Sequence, residues 1–319
     1  MVDRRAIILE GVTKTGVGLE IAPWFAPIAP RREGYNVRIL DVFDRETLQK
    51  RGAADMQQNW RDMSLLDEVD YVGSATEVAS LVPTELHGTF DYIVSSHNFE
   101  HLPNPIKFLQ GCASLLKPGG LITMAVPDHR ACFDYFRPHT VIGDWLEAYF
   151  EDRSRPKPKQ VFDARSTFSV LRGVGEMNYA FYVGAPPSDV EITGDLGAQF
   201  AAWRDGTHGD DYQDAHCTVM SPASLEMLLL EARALGVLPL DVESISGPSG
   251  CEFFVRLRKP VAGITPLTPQ DVAVQRTAIA KRIFQDYAAQ TRPDPALRRR
   301  QFARKLRGLS RRLRGKAPK

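Results

Sequence analysis

Cysteine is scarce in this chain: there are four in 319 residues, at positions 112, 132, 217 and 251. They form no CxxC pair and no other ligand spacing, which excludes a disulfide framework or a zinc ribbon and leaves scattered reduced thiols. Each is expected as a small core hydrophobe. The histidines and cysteines together show no Cys/His set at zinc-site spacing, so no metal is expected. No apolar run is long enough to cross a bilayer, and the opening MVDRRAIILEG has too short an apolar stretch for a signal peptide. A cytoplasmic protein is expected. A dominant charge of one sign is missing too, the formal net charge being +1.

That neutrality conceals a division. From Arg292 to Lys319 there are twelve Lys or Arg against the single acid Asp294, which leaves residues 1–291 with 28 basic and 38 acidic side chains. The body is acidic and the tail strongly basic. With 43 % hydrophobic residues the chain can bury a sizeable core.

The stretch from Phe90 to Arg130 carries the most information. Phe90 to Ser96 is an apolar run with the length and β-formers of a buried strand. Asn104-Pro105 can cap and open a helix, on which Ile106, Leu109, Ala113 and Leu116 share one face, and Lys117-Pro118-Gly119-Gly120 stops it. Leu121 to Val126 then reads as a second strand ending at Pro127, completing a right-handed βαβ unit. Ligands of open parallel sheets bind beyond the carboxyl ends of the strands, so Ser95-Ser96-His97-Asn98 and Asp128-His129-Arg130 are expected at one crevice.

Asp91, Ser95, Glu100-His101-Leu102, Leu115-Leu116-Lys117-Pro118-Gly119-Gly120 and Pro127 together resemble the fourth-to-fifth-strand region of class I S-adenosylmethionine-dependent methyltransferases. The resemblance implies an α/β, Rossmann-like fold with a mostly parallel sheet and S-adenosyl-L-methionine as cofactor. Gly16 to Ile21 fits the first strand. Gly16 and Gly18 precede that strand, where they cannot form the phosphate turn of a dinucleotide fold. Glu20 stands at the family's acid position near the methionine end of the cofactor. Ala22 and Pro23 replace the usual glycine turn, and Ala22 fits there only with a negative φ. Gly34 to Asp41 is the second strand; Asp41, 21 residues after Glu20, is at the spacing of a ribose-binding acid, with Val42 beside it. The prolines between Trp24 and Pro30 predict a short or irregular first crossover. Val69 to Gly73 fits a third strand, after which Ser74 and Ala75 would line the adenine pocket. Ser95 and Ser96 complete the expected cofactor contacts.

Residues 1–133 and 216–260 are expected to form the core, with 134–215 inserted after the fifth strand as a helical lid or acceptor-binding element. Ser221-Pro222 caps a helix closing at Gly236, and Leu238–Ile245 and Cys251–Leu257 form the terminal antiparallel hairpin. Residues 261–319 are a helical extension, with one helix from Thr268-Pro269 to about Gln290. Beyond it, Phe302, Leu306, Leu309 and Leu313 make a narrow apolar stripe in a basic helix, so Arg298–Lys319 suits an anionic membrane surface or an acidic partner. A disordered, solvated terminus is the alternative.

Methyl transfer from a sulfonium is a direct displacement that needs alignment and exclusion of water. His97 as a base and Asp128 on the crevice rim are the catalytic candidates, the first weighed against a packing role. The blend EIAPWFAPIAP, GYNVRILD and AVPDHRACFDYFRPHT resembles bacterial methyltransferase-domain proteins associated with glycosyltransferases and surface-polysaccharide synthesis, which implies a glycan or other small hydroxylated acceptor. Two other readings stay open: a non-catalytic binding or scaffolding module, and a nucleic-acid methyltransferase. The acidic body and the lack of an NPPY-like or paired-Cys motif weigh against nucleic acid.

Overall fold

The computed structural model describes residues 3–54, 65–173, 178–207 and 213–291. In chain order they form α1 (Arg4–Ile8), β1 (Gly18–Ile21), β2 (Val37–Asp41), α2 (Arg45–Ala54), β3 (Tyr71–Val72), α3 (Val78–Leu81), β4 (Phe90–Ser96), α4 (Pro105–Leu115) and β5 (Leu116–Pro127). There follow α5 (Ile142–Phe150), α6 (Pro158–Ser166), β6 (Ser169–Leu171), β7 (Val190–Ile192), α7 (Leu196–Arg204), α8 (Pro222–Ala234), β8 (Asp241–Ile245), β9 (Glu252–Arg258) and α9 (Pro269–Thr291).

Seven strands make one sheet in the order β3-β2-β1-β4-β5-β9-β8. It is parallel from β3 to β5, and β9 enters antiparallel to both β5 and β8. This is the expected α/β fold with its closing hairpin. Strand alternation sends side chains to two cores. On one face Leu19, Ile21, Ile93, Ile122, Phe253, Val255 and Leu257 meet Ile106, Leu109, Leu225 and Leu229 of α4 and α8. On the other, Tyr92, Val94, Ala125 and Phe254 pack against Ile8, Ile28 and Ala29. Gly18 is required by that second core, because a Cβ there would lie 2.1 Å from the Tyr92 ring.

The first crossover carries no α-helix, only a 3-10 turn at Arg31–Glu33, as its prolines dictate. Asn104 caps α4, its side chain accepting from Lys107 N, and Ser221 caps α8 by accepting from Ser224 N. β5 starts earlier than its apolar run. Leu116 already pairs with Phe90, and Lys117 to Gly120 form an irregularity before Leu121 pairs with Tyr92.

The insertion is not wholly helical. It also holds the two-stranded antiparallel ribbon β6-β7. Part of it belongs to the main core: Trp145 of α5 is buried edge-on to Phe99 and donates to Thr218 Oγ1 at 3.2 Å. Helix α9 packs along α8 through Ile279 and Ile283, and Arg276–Glu231 and Arg282–Glu226 ion pairs flank the contact. The basic stretch Arg298–Lys319 lies outside the described residues.

Candidate active site

A cavity of about 1000 Å³ opens at the carboxyl ends of β1, β4 and β5 and the start of β9. The core contributes Glu20, Ala22, Pro23, Trp24, Ser96, His97, Glu100, His101, Cys251 and Glu252 to its wall. Residues from the insertion, Ala164, Arg165, Phe168, Tyr179, Ala180 and Asp214, close the opposite side. Arg4 reaches in from α1.

Backbone strain is concentrated here. Four non-glycine residues among those described have positive φ, and three of them line the cavity: Ala22 (+49°), Trp24 (+42°) and His97 (+50°). Ala22 therefore takes the left-handed conformation rather than the negative φ that would spare it a steric cost of about 1–2 kcal/mol. Strain kept at a cavity rim is typical of functional sites, where the surroundings over-determine the backbone.

Glu20 is 1 % exposed, and its two oxygens accept from the amides of Ile28 at 2.6 Å and Ala29 at 3.0 Å. Burial pushes its carboxyl up to about 7 in spite of those two bonds. The acid thus ties the proline-rich loop to the end of β1. Across the cavity, Arg4 forms a two-pronged pair with Glu252, Nε to Oε1 at 2.6 Å and Nη2 to Oε2 at 2.9 Å, and also donates to Ser96 Oγ at 2.7 Å. His97 Nε2 lies 2.9 Å from Glu252 Oε2, and its Nδ1 lies 3.4 Å from Glu100 Oε1. Burial opposes the charged imidazole, but the bonds to Glu100 and Glu252 outweigh it and lift His97 to about 9. These carboxylates favour the protonated ring over the neutral form that a base would need, although the His97 side chain is 40 % exposed.

Of the other expected contacts, Ala22, Pro23 and Ser96 face the cavity. Asp41, Val42, Ser74, Ala75, Ser95 and Asp128 are not among its lining residues. Asp41 is buried, and burial raises its carboxyl to about 6 against the pull of the Phe43, Val42 and Trp24 amides. Ser74 caps its own turn by accepting from Thr76 N at 3.3 Å, and Ala75 belongs to the main core. Buried Ser95 accepts from Asn98 Nδ2 at 3.4 Å. Asp128 is fully buried with both oxygens taken by Arg130, at 2.9 and 2.6 Å, so it orients the chain after β5 and forms no crevice rim. Asp134 and Arg137 are likewise paired and buried.

Arg4 and Glu252, central to the site, carry no local sequence signal. They are separated by 248 positions and meet only because α1 packs beside the start of β9.

A family model described as a methyltransferase domain matches residues 6–233, more than two thirds of the chain. The chain belongs to the methyltransferase-domain family. Ubiquinone biosynthesis O-methyltransferase of Xanthomonas campestris pv. campestris is 39 % identical over 59 residues, 18 % of this chain and 23 % of that protein. The protein of the same description from Caulobacter vibrioides is 28 % identical over 116 residues, 36 % of this chain and 41 % of that one. This methyltransferase-domain protein thus spans less than half the length of these curated relatives. A SAM-dependent methyltransferase from Aquifex aeolicus has a TM-score of 0.38 at 11 % identity, covering 80 % of this chain and 89 % of that structure. At that level of likeness the sheet order of the chain itself defines the fold. Among the described residues no helix is long and apolar enough to cross a membrane.

Proposed function

We propose that this methyltransferase-domain protein is an S-adenosylmethionine-dependent O-methyltransferase of a small hydroxylated acceptor. The observation that carries the reading is the cavity itself, set over the carboxyl ends of β1 and β4 where an open parallel sheet binds its ligand. The residues fit the cofactor at its methionine side. Ala22 and Trp24 adopt the left-handed turn conformation that glycine usually supplies, and Ala22, Pro23 and Ala26 are small enough for a ligand to approach the backbone. On the ribose side the fit is not formed, since Asp41 is outside the cavity wall.

When bound, the cofactor supplies an electrophilic methyl group. The chain's part is to position and to exclude water. In this reading the Ala22–Trp24 turn and Ser96 hold the cofactor end. The Arg4–Glu252–His97 chain keeps the β4 end rigid and holds a proton on the imidazole, and Phe168, Tyr179 and Arg165 of the insertion face the acceptor. The aromatic and cationic character of that wall supports a glycan or another polyhydroxylated acceptor, because sugar rings stack on aromatics and arginine donates to hydroxyls and phosphates.

Isothermal calorimetry with S-adenosylmethionine tests the first step. Saturable binding is expected, and Ala22→Val, which adds bulk at a left-handed position on the wall, is expected to abolish it. Absence of binding by the native protein would replace this proposal with a scaffolding role.

A further inference from the structure

Within the cavity wall, Glu100, His101 and His216 bring one ligand atom each to within 4.8 Å of one another. His101 Nε2 lies 3.7 Å from Glu100 Oε1, and His216 Nε2 lies 4.0 Å from the same oxygen. Each imidazole has its other nitrogen facing a carboxylate. His101 Nδ1 is 2.9 Å from Asp214 Oδ1 without the geometry of a hydrogen bond, whereas His216 Nδ1 is hydrogen-bonded to Asp134, which Arg137 holds in turn at 2.6 Å. The carboxylate on His216 Nδ1 favours the tautomer whose Nε2 lone pair is available, the usual support behind a metal-binding histidine, and Asp214 lies within reach of the same role for His101.

A second observation points the same way. Glu100 is 1 % exposed; its Oε1 faces both imidazoles and lies 3.4 Å from His97 Nδ1, and its other oxygen, Oε2, is buried without a hydrogen-bond partner among the described residues. A bare buried carboxylate oxygen is costly, whereas one that coordinates a cation is satisfied.

We propose that Glu100, His101 and His216 form a binding site for a divalent transition metal ion of the zinc class, open to the cavity at its remaining position. Metal–nitrogen and metal–oxygen bonds of about 2.0–2.2 Å place tetrahedral ligands roughly 3.4 Å apart, so the present spacing needs an inward shift of well under 1 Å per ligand. Two imidazoles and one carboxylate suit zinc, cobalt or iron(II) better than calcium or magnesium, which prefer all-oxygen shells. The site escapes a search for local spacing because its third ligand lies more than a hundred residues from the first two. It borders the space proposed for the acceptor, where a cation would attract an oxygen ligand.

The test uses the full chain stripped with a chelator and titrated with Co²⁺ alone, followed by visible absorption and by calorimetry. One equivalent is expected to bind with ligand-field bands of a low-coordinate nitrogen and oxygen site. His216→Ala and His101→Ala are each expected to remove the bands. Asp214→Asn, whose side chain is largely exposed and so safe for folding, is expected to weaken binding about 10- to 100-fold, while His87→Ala leaves it unchanged. Circular dichroism verifies that each variant is folded, and His101→Ala, which is partly exposed, serves if His216→Ala is not. No stoichiometric binding, or equal binding by the native protein and folded His101→Ala, would overturn the proposal. Because no methyl transfer is measured, neither result bears on the proposed activity.

Discussion

Glu20 links loop, sheet and charge, and its replacement by glutamine separates them. In the native protein the carboxyl is raised by burial to about 7 from an ordinary value of 4.5. An acid whose folded pKa is raised contributes stability that is complete below its unfolded pKa and is lost as the pH rises through the folded one. The window here runs from about pH 4.5 to 7. At about 1.4 kcal/mol per pKa unit, stability attributable to Glu20 falls by about 2.5 kcal/mol between pH 5 and pH 8. Glu20→Gln cannot titrate and, like the protonated carboxyl that prevails at pH 5, offers one full acceptor oxygen to the Ile28 and Ala29 amides, so it reproduces the neutral form of the acid at every pH. The native protein therefore loses about 2.5 kcal/mol of stability relative to the variant between pH 5 and pH 8. Urea unfolding of both proteins, followed by far-UV circular dichroism across that range, measures the difference while other titrations cancel. A native stability that stays constant or rises relative to the variant's as the pH is raised would refute the assignment of a buried, raised carboxyl to Glu20.

Ala22→Gly should raise stability by about 0.5–1 kcal/mol, the left-handed strain relieved less the added freedom of the unfolded chain, and thermal melting checks it. Phe253→Ala, emptying a fully buried core position, should cost about 3–5 kcal/mol in urea unfolding and leave a folded domain only if the sheet is stable enough. For His97→Ala, slower transfer with little change in cofactor affinity is expected in a methyl-transfer assay paired with calorimetry; joint loss would mean that the residue only packs. If Arg298–Lys319 is a surface anchor, truncation after Gln290 abolishes flotation with anionic liposomes and added salt releases the full chain, since each basic residue near anionic lipid adds on the order of 1 kcal/mol. Equal recovery of both forms would leave Arg298–Lys319 to an acidic partner or to solvent.

Local pattern was enough for the elements whose signals lie close together along the chain. Phe90 to Ser96 is the fourth strand because an apolar β-forming run between turn residues has no better burial than the centre of a sheet. Asn104-Pro105 and Ser221-Pro222 open α4 and α8 because a side-chain cap and a proline satisfy the free amides of a first turn. The proline run from Pro23 to Pro30 by itself ruled out a first crossover helix. What needed the tertiary structure was every property that depends on partners distant in sequence. Asp128 and Asp41 look alike on paper as acids at strand ends, yet Arg130 occupies the first and burial in its own turn removes the second from the cavity. His97 read as a base or a packing residue from sequence, and its pKa is raised in the fold by Glu100 nearby and by Glu252, which arrives from the far hairpin. The same holds for Glu100, His101 and His216: composition supplies the ligands, but only packing of the chain after the insertion against the β4 loop brings three donors to one point. Sequence dictates short-range geometry through backbone sterics and capping, whereas pKa and coordination depend on which charges the folded chain places within a few ångströms.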